Sequence, residues 1–362
     1  MKNTNALAER LALKYPIIQA PMAGGGDTVE LVAAVSNAGA LGSVGAAYLS
    51  PQQIVERGKA IRAKTSRPFG TNLFAPAETH PPSADAVQRA IESVSPYYAE
   101  LGIDPPILSG GLATFDDQLA ACLETGAAVF SFTFGLIPKP AVSQIKSHKV
   151  LVVGTATTVA EAKALADLGV DAVVAQGSEA GGHRGTFLSD FTSGMIGTMA
   201  LVPQVVDAVS IPVIASGGIM DGRGVAAALA LGAAGVQLGT AFLTCAEAGV
   251  PEAYKDAILS APEDSTRITR AFSGRPARGI ANRFLTGMQS VTEVLPFPLQ
   301  NAITRPMRAE SSRQNRADYL SLWAGQGTRM ARRITANELV ERLVAETDSA
   351  IGSLSSWRPA CP

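Results

Sequence analysis

Three histidines occur in the chain, and His183 lies within "AQGSEAGGHRG", residues 175–185, directly after the apolar run "DAVVAQ". Imidazole titrates near neutrality, so a histidine held at the end of a buried strand can take a proton from a weak carbon acid. Gly181, Gly182 and Gly185 give the loop backbone conformations that a residue with a Cβ adopts only at a cost, and we expect a flexible loop that lets His183 reach over a bound group. The competing reading of a lone histidine is structural. His148 precedes a strand and reads as surface; His80, in the proline-rich "APAETHPPSAD", could be either. Glu179 is a second candidate base, and reads first as a residue that orients its own loop.

Two further segments carry a phosphate signature. "ASGGI" places Gly217 and Gly218 after one apolar run, and "QLGT", Gln237, Leu238, Gly239 and Thr240, ends the next. Glycines let backbone N–H groups approach an anion, and Thr240 adds a hydroxyl. Each motif alone also suits a tight turn; the two on consecutive strands point to one phosphate. Asn72 and Gln176 end apolar runs. A carboxamide there must be hydrogen-bonded, and its paired donor and acceptor suit a planar heterocycle such as a flavin ring. The alternative is a carboxamide that ties down a neighbouring loop. "APMAGG", with Ala20, Pro21 and Met22, presents backbone to the same ring or forms a tight turn.

These segments need a scaffold that brings strand ends together. Eight short apolar runs recur: "YPIIQAP", "ALGSVGA", "RPFGTNLF", "AAVFSFTF", "HKVLVVG", "DAVVAQG", "IPVIASGG" and "AGVQLGT". None alternates with polar residues, so both faces are buried, as in a parallel sheet covered by helices. Helix signals fill the gaps. Ser50, Pro51 and Gln53 form a capping-box pattern, Thr158 and Glu161 repeat that spacing before a stop at Gly169, and another helix is expected from Asp27 to Gly39. The fold class is α/β, a closed (β/α)8 TIM barrel, with a doubly wound open sheet as its rival. In such a barrel the site lies at the C-terminal ends of the strands, and the loops after the last two strands cradle phosphate. Residues 75–115 interrupt the rhythm. We expect residues 1–247 and 316–362 to form the barrel, 248–315 to be an inserted cap that shapes substrate range, and "ADYLSLWAGQGTRMARRITANELVERLVAET" to return to helix and close it.

Composition narrows the function. With 47% hydrophobic and 17% charged residues, the 362-residue chain can bury a large core. A net charge of -1 with dispersed Lys and Arg argues against nucleic acid as a partner. Cys122, Cys245 and Cys361 are widely spaced, which argues against disulfides and a zinc site and for a reducing cytoplasm. No metal is expected. The N-terminus lacks a signal-peptide core. Gly224 to Ala246 is uncharged and long enough for a membrane helix, yet its glycines, with Gly232 at a helix end, read as helix, turn and strand.

Taken together, "AQGSEAGGHRG", "APMAGGG…VELVAAVSNAGALG", "TNLF" and "ASGGI…GAAGVQLGT" closely resemble the class I nitronate monooxygenases, formerly 2-nitropropane dioxygenases. The likeness runs over residues 15–245 and on through "SGRPARGIANRF". The resemblance implies an FMN barrel that oxidises alkyl nitronates with O2 to carbonyl compounds and nitrite through a flavin semiquinone. It implies FMN contacts at Asn72, Gln176, Gly181, Gly218 and Gln237 to Thr240, to which the loop positions add Ala20, Pro21, Met22, Gly182 and Gly217. It makes His183 the base needed when the substrate is the neutral nitroalkane. Two rivals stand: an NAD(P)H-dependent FMN enoyl-thioester reductase, and a non-redox barrel that binds a phosphate ligand and would be colourless.

Overall fold

A computed structural model describes residues 6–77, 81–108, 113–291 and 293–355; His80 and Cys361 lie outside them. The strands, in chain order, are β1 (Ile17–Gln19), β2 (Gly42–Gly45), β3 (Phe69–Phe74), β4 (Val129–Thr133), β5 (Leu151–Ala156), β6 (Ala172–Gln176), β7 (Gly182–His183), β8 (Val213–Ser216), β9 (Gly235–Leu238), β10 (Thr266–Thr269) and β11 (Ala277–Ile280). Eight of them, all but β7, β10 and β11, form one parallel sheet in the order β1-β9-β8-β6-β5-β4-β3-β2. Leu41 closes the ring: its N–H donates to Ile17 O and its carbonyl accepts from Gln19 N, both at 2.9 Å. The eight barrel strands are the eight apolar runs, so the closed barrel, not the open sheet, is the fold.

Alternation within each strand explains the continuous apolar runs. Val152, Val173, Ala215 and Val236 belong to the main core. Their neighbours Val153, Val174 and Ile214 join Ile18 and Val129 in a smaller cluster that Leu7 and Leu11 cover. Both strand faces are therefore apolar, and the N-terminal segment plugs one end of the barrel while the other stays open.

Local signals act largely as their chemistry dictates. Ser50 and Gln53 complete a capping box at helix Pro51–Lys64. Thr158 caps Val159–Leu168, which ends at Gly169 in the left-handed region. The second box does not close, because the buried Glu161 carboxylate accepts instead from Thr157 N, Thr157 Oγ1, Phe187 N and Leu188 N. The first long helix starts one residue later than expected. Thr28 is its N-cap, and Asp27 is buried, accepting from Met22 N at 2.7 Å and Gly45 N at 2.6 Å. The segment 224–246 is helix, then Gly232 at φ +92°, then β9. Among the described residues no helix is long and apolar enough to cross a membrane.

The two interruptions meet. Helix Ala84–Leu101, from the first, packs against helix Leu299–Arg313, from the second. Val94, Tyr98, Phe272, Phe284, Ile303, Met307 and Tyr319 form a core separate from the barrel's. Residues 317–355 are not continuous helix. Two short 3-10 turns, Ala317–Tyr319 and Thr328–Met330, precede an α-helix that begins at Ala336 and runs to Ser355, packed between helices Gly222–Ala230 and Val29–Asn37. Before it, residues 320–327 cross the barrel mouth as irregular chain around "WAGQG". Glycine there permits close backbone approach, which helical periodicity could not reveal.

Candidate active site

A cavity of about 250 Å³ opens at the C-terminal ends of the barrel strands. Ala20, Pro21, Met22, Asn72, Gln176, Gly181, Gly182, His183, Gly217, Gly218, Gln237, Leu238, Gly239 and Thr240 all line it. Residues spread over more than two hundred positions of sequence are thus brought to one chamber.

One wall is backbone. Gly217 and Gly218 have φ of +113° and +73°, values open mainly to glycine. Among the described residues no acceptor takes the amide protons of Gly217, Gly218, Gly239 or Thr240. Thr240 is buried, Gly217 and Gly239 are half-buried and Gly218 is exposed; N–H groups out of water and without partners are costly unless a ligand or ordered water supplies the acceptor. Thr240 Oγ1 accepts from Gly325 N at 2.9 Å, which leaves its proton to donate. A cluster of such donors fits a phosphate.

The carboxamides divide. Gln176 donates through Nε2 to His183 O at 3.0 Å and accepts through Oε1 from Gly185 N at 2.9 Å. It therefore clamps the histidine loop, the alternative weighed from sequence, with one N–H and one lone pair left over. Asn72 donates to Ser131 Oγ at 2.9 Å, and among the described residues its Oδ1 has no donor.

The glycine loop is held, not flexible. His183 pairs with Ala277 and Gly182 with Arg278, so β7 adds to the antiparallel β10–β11 hairpin. The Arg184 side chain is buried and donates to the carbonyls of Gln176, Gly177 and Gly194. Gly182 has φ +72°, and a Cβ on Gly181 would lie 2.5 Å from Gly325 N. The glycines thus serve close approach more than mobility. Glu179 accepts from Thr198 N at 2.9 Å and from Thr198 Oγ1 at 2.8 Å, so it orients its loop and does not line the chamber.

The opposite wall is made of side chains that sequence motifs did not flag. His183 Nε2 lies 2.8 Å from Ser273 Oγ. Phe134, Trp323, Phe297 and Phe74 surround the imidazole, with ring centroids 5.5, 5.7, 6.3 and 6.4 Å away. Burial, then Arg275 and Arg308, push its pKa down to about 3, so the ring is neutral at physiological pH. Arg308 also lines the cavity. It donates to Asn301 Oδ1 at 2.7 Å, to Asn301 O and to Thr304 O, and among the described residues no carboxylate pairs with it. Burial pushes it down to about 10, which leaves it charged. No run of basic residues marks Arg308 in the sequence; its isolation from carboxylates is visible only in three dimensions. His148 is exposed at the end of helix Lys139–Ser147, away from this chamber. Among the described residues no His, Cys, Asp and Glu cluster could hold a metal.

The barrel holds a donor-lined pocket and a half-buried, neutral imidazole at the C-terminal ends of its strands, and the comparisons make it a TIM-barrel oxidoreductase. The nitronate monooxygenase family profile matches residues 5–346. A probable nitronate monooxygenase of Staphylococcus aureus strain Newman is 43% identical over 350 residues, covering 95% of this chain and 97% of the relative. The nitroalkane oxidase of Streptomyces ansochromogenes superposes with a TM-score of 0.89 at 40% identity, over 96% of this chain and 99% of that one. FabK from Thermotoga maritima superposes with a TM-score of 0.78 at 28% identity, over 98% and 99%. This chain belongs to the nitronate monooxygenase family.

Proposed function

We propose that the protein binds FMN in this chamber and oxidises alkyl nitronates with O2 to carbonyl compounds and nitrite. The observation that carries the reading is the set of four amides, Gly217, Gly218, Gly239 and Thr240, without an acceptor among the described residues, across one cavity from His183 and Arg308. The residues present fit the cofactor: those amides and the Thr240 hydroxyl would hold its phosphate, and Asn72 Oδ1 with the spare valences of Gln176 would meet the polar edge of its ring. When bound, the flavin supplies the one-electron chemistry that a nitronate and O2 require.

The chain's own groups do the rest. Arg308 holds the anionic nitronate, since a half-buried guanidinium with no carboxylate partner among the described residues favours an incoming anion. The aromatic box of Phe74, Phe134, Phe297 and Trp323 excludes water around the reacting carbon. When the substrate is a neutral nitroalkane, His183 removes the proton next to the nitro group and becomes imidazolium beside the new nitronate. Neutral and positioned, it is ready to act as base without first shedding a proton. Cys122 and Cys245 are buried free thiols, which supports a cytoplasmic setting.

A visible spectrum of the pure protein tests the reading first, followed by identification of the heat-released cofactor and by nitronate-dependent oxygen uptake without NADH. Yellow protein releasing FMN, with uptake on a nitronate, is expected. Colourless protein would favour the non-redox phosphate barrel, and a requirement for NADH with an enoyl-thioester acceptor would favour the reductase.

A further inference from the structure

We infer that Ser273 holds His183 as the Nε2–H tautomer and so makes Nδ1 the basic atom; the inference rests on the assignment of His183 as base. Ser273 is buried in the turn "FSGRP". Its Oγ has three neighbours: Arg275 N at 3.3 Å, Arg275 O at 3.2 Å and His183 Nε2 at 2.8 Å.

A hydroxyl has one proton and two lone pairs. The Arg275 amide can only donate, and the Arg275 carbonyl can only accept. If Ser273 donates to that carbonyl, it accepts from the amide and from His183 Nε2–H, and all three contacts are hydrogen bonds. If Ser273 instead donates to Nε2, the carbonyl loses this donor, and the ring proton moves to Nδ1. Among the described residues Nδ1 has no acceptor. Buried polar groups settle into the arrangement that pairs most of them, and that is the first.

The consequence is chemical. With Nε2–H spent on Ser273, the Nδ1 lone pair is the one available for proton abstraction. A proton moves from the substrate carbon to Nδ1, the carbon's electron pair passes into the nitro group, and Nε2–H keeps its bond to Ser273 throughout. Ser273 touches neither substrate nor cofactor in this scheme; it is a positioning residue, and it reaches His183 from the turn before β11, ninety positions away in sequence.

The test is nitrogen NMR of holoenzyme labelled with 15N-histidine, together with turnover of a matched nitroalkane and nitronate. In the wild type the His183 signals are expected to report a protonated Nε2 and an unprotonated Nδ1. Ser273→Ala should mix the two tautomers and lower nitroalkane turnover by about tenfold, the scale of one lost orienting hydrogen bond, with nitronate turnover unchanged. Ser273→Thr, which keeps the hydroxyl, should restore both readouts. A protonated Nδ1 in the wild type overturns the inference, with or without any variant. An unchanged tautomer in Ser273→Ala, or equal loss on both substrates, overturns the role of Ser273. Failure of the base assignment reads differently: His183→Asn would then spare the nitroalkane, whatever the nitrogen spectrum shows.

Discussion

The two walls of the chamber are built on different terms. The backbone wall, Gly217, Gly218, Gly239 and Thr240, is main chain at the ends of β8 and β9, adjacent barrel strands. Its donors are placed by the barrel's hydrogen-bond register. The wall proposed to face the substrate, Phe297, Arg308 and Trp323, is side chain carried on segments outside the barrel. Its placement depends on the second core, where Tyr98 donates to Ile303 O at 2.6 Å and Phe284 packs on Phe272. A cofactor common to many substrates can be held by backbone. A particular substrate is selected by side chains, on a part of the molecule that can vary without disturbing the barrel.

The sharpest division between the walls should come from Gly239→Asp. A Cβ there meets nothing nearer than Ala20 Cβ at 3.7 Å, and the protein should fold normally. A carboxylate beside the cradle should nevertheless abolish cofactor binding, read as colourless protein with an unchanged circular dichroism spectrum. Retention of the flavin would move the phosphate elsewhere.

On the other wall, His183→Asn should keep the cofactor and hold nitronate turnover within about tenfold of wild type. Nitroalkane turnover should fall by roughly 10²–10⁴, the usual scale of one general base. Equal damage to both substrates would make His183 a binding residue.

Arg308→Met tests selection of the anion. A hydrogen bond to a charged group is worth about 1.5–3 kcal/mol, so KM for a nitronate should rise by roughly ten- to a hundredfold while the flavin stays bound. An unchanged KM, or loss of flavin, would remove Arg308 from the substrate wall.

Gln176 joins the two walls. Gln176→Leu removes its bonds to His183 O and Gly185 N. It should cost about 1–3 kcal/mol of stability, with flavin affinity and nitroalkane turnover falling together. Lower flavin affinity alone would leave the clamp without a functional role.

A further division between the walls is in pH. His183 is held near 3, against about 6.5 in an unfolded chain. Between these values the unfolded state binds a proton that the native state refuses, so this residue lowers stability as pH falls from about 6.5 towards 3. Thermal melts of wild type and His183→Asn should diverge over that window, the variant losing less on acidification. Parallel curves would mean an ordinary, solvated imidazole.

What could be read before the structure was local. Eight apolar runs without alternation already demanded strands buried on both faces, and their alternation with capped helices demanded a barrel. Glycines at the ends of the last two barrel strands marked the backbone wall of the chamber, because close backbone approach has few other solutions. Misreadings arose where a residue's partner is distant. Glu161 has capping-box spacing but spends its carboxylate on Phe187 and Leu188. Asp27 resembles a helix start but bridges Met22 and Gly45. Around "WAGQG", helical composition gave way to a strap whose glycines admit the 181 loop.

The sequence by itself determined the barrel, its helices and the backbone wall, since these follow from periodicity, caps and glycine, all expressed within a few residues. Only the tertiary structure decided that His183 is neutral, clamped by Gln176 and bonded to Ser273, and that Arg308 faces the same cavity with no carboxylate beside it among the described residues. Burial, hydrogen-bond partners and missing partners are properties of packing between segments a hundred residues apart. No local pattern encodes them, because the free energy of a buried charge or imidazole depends on everything that surrounds it.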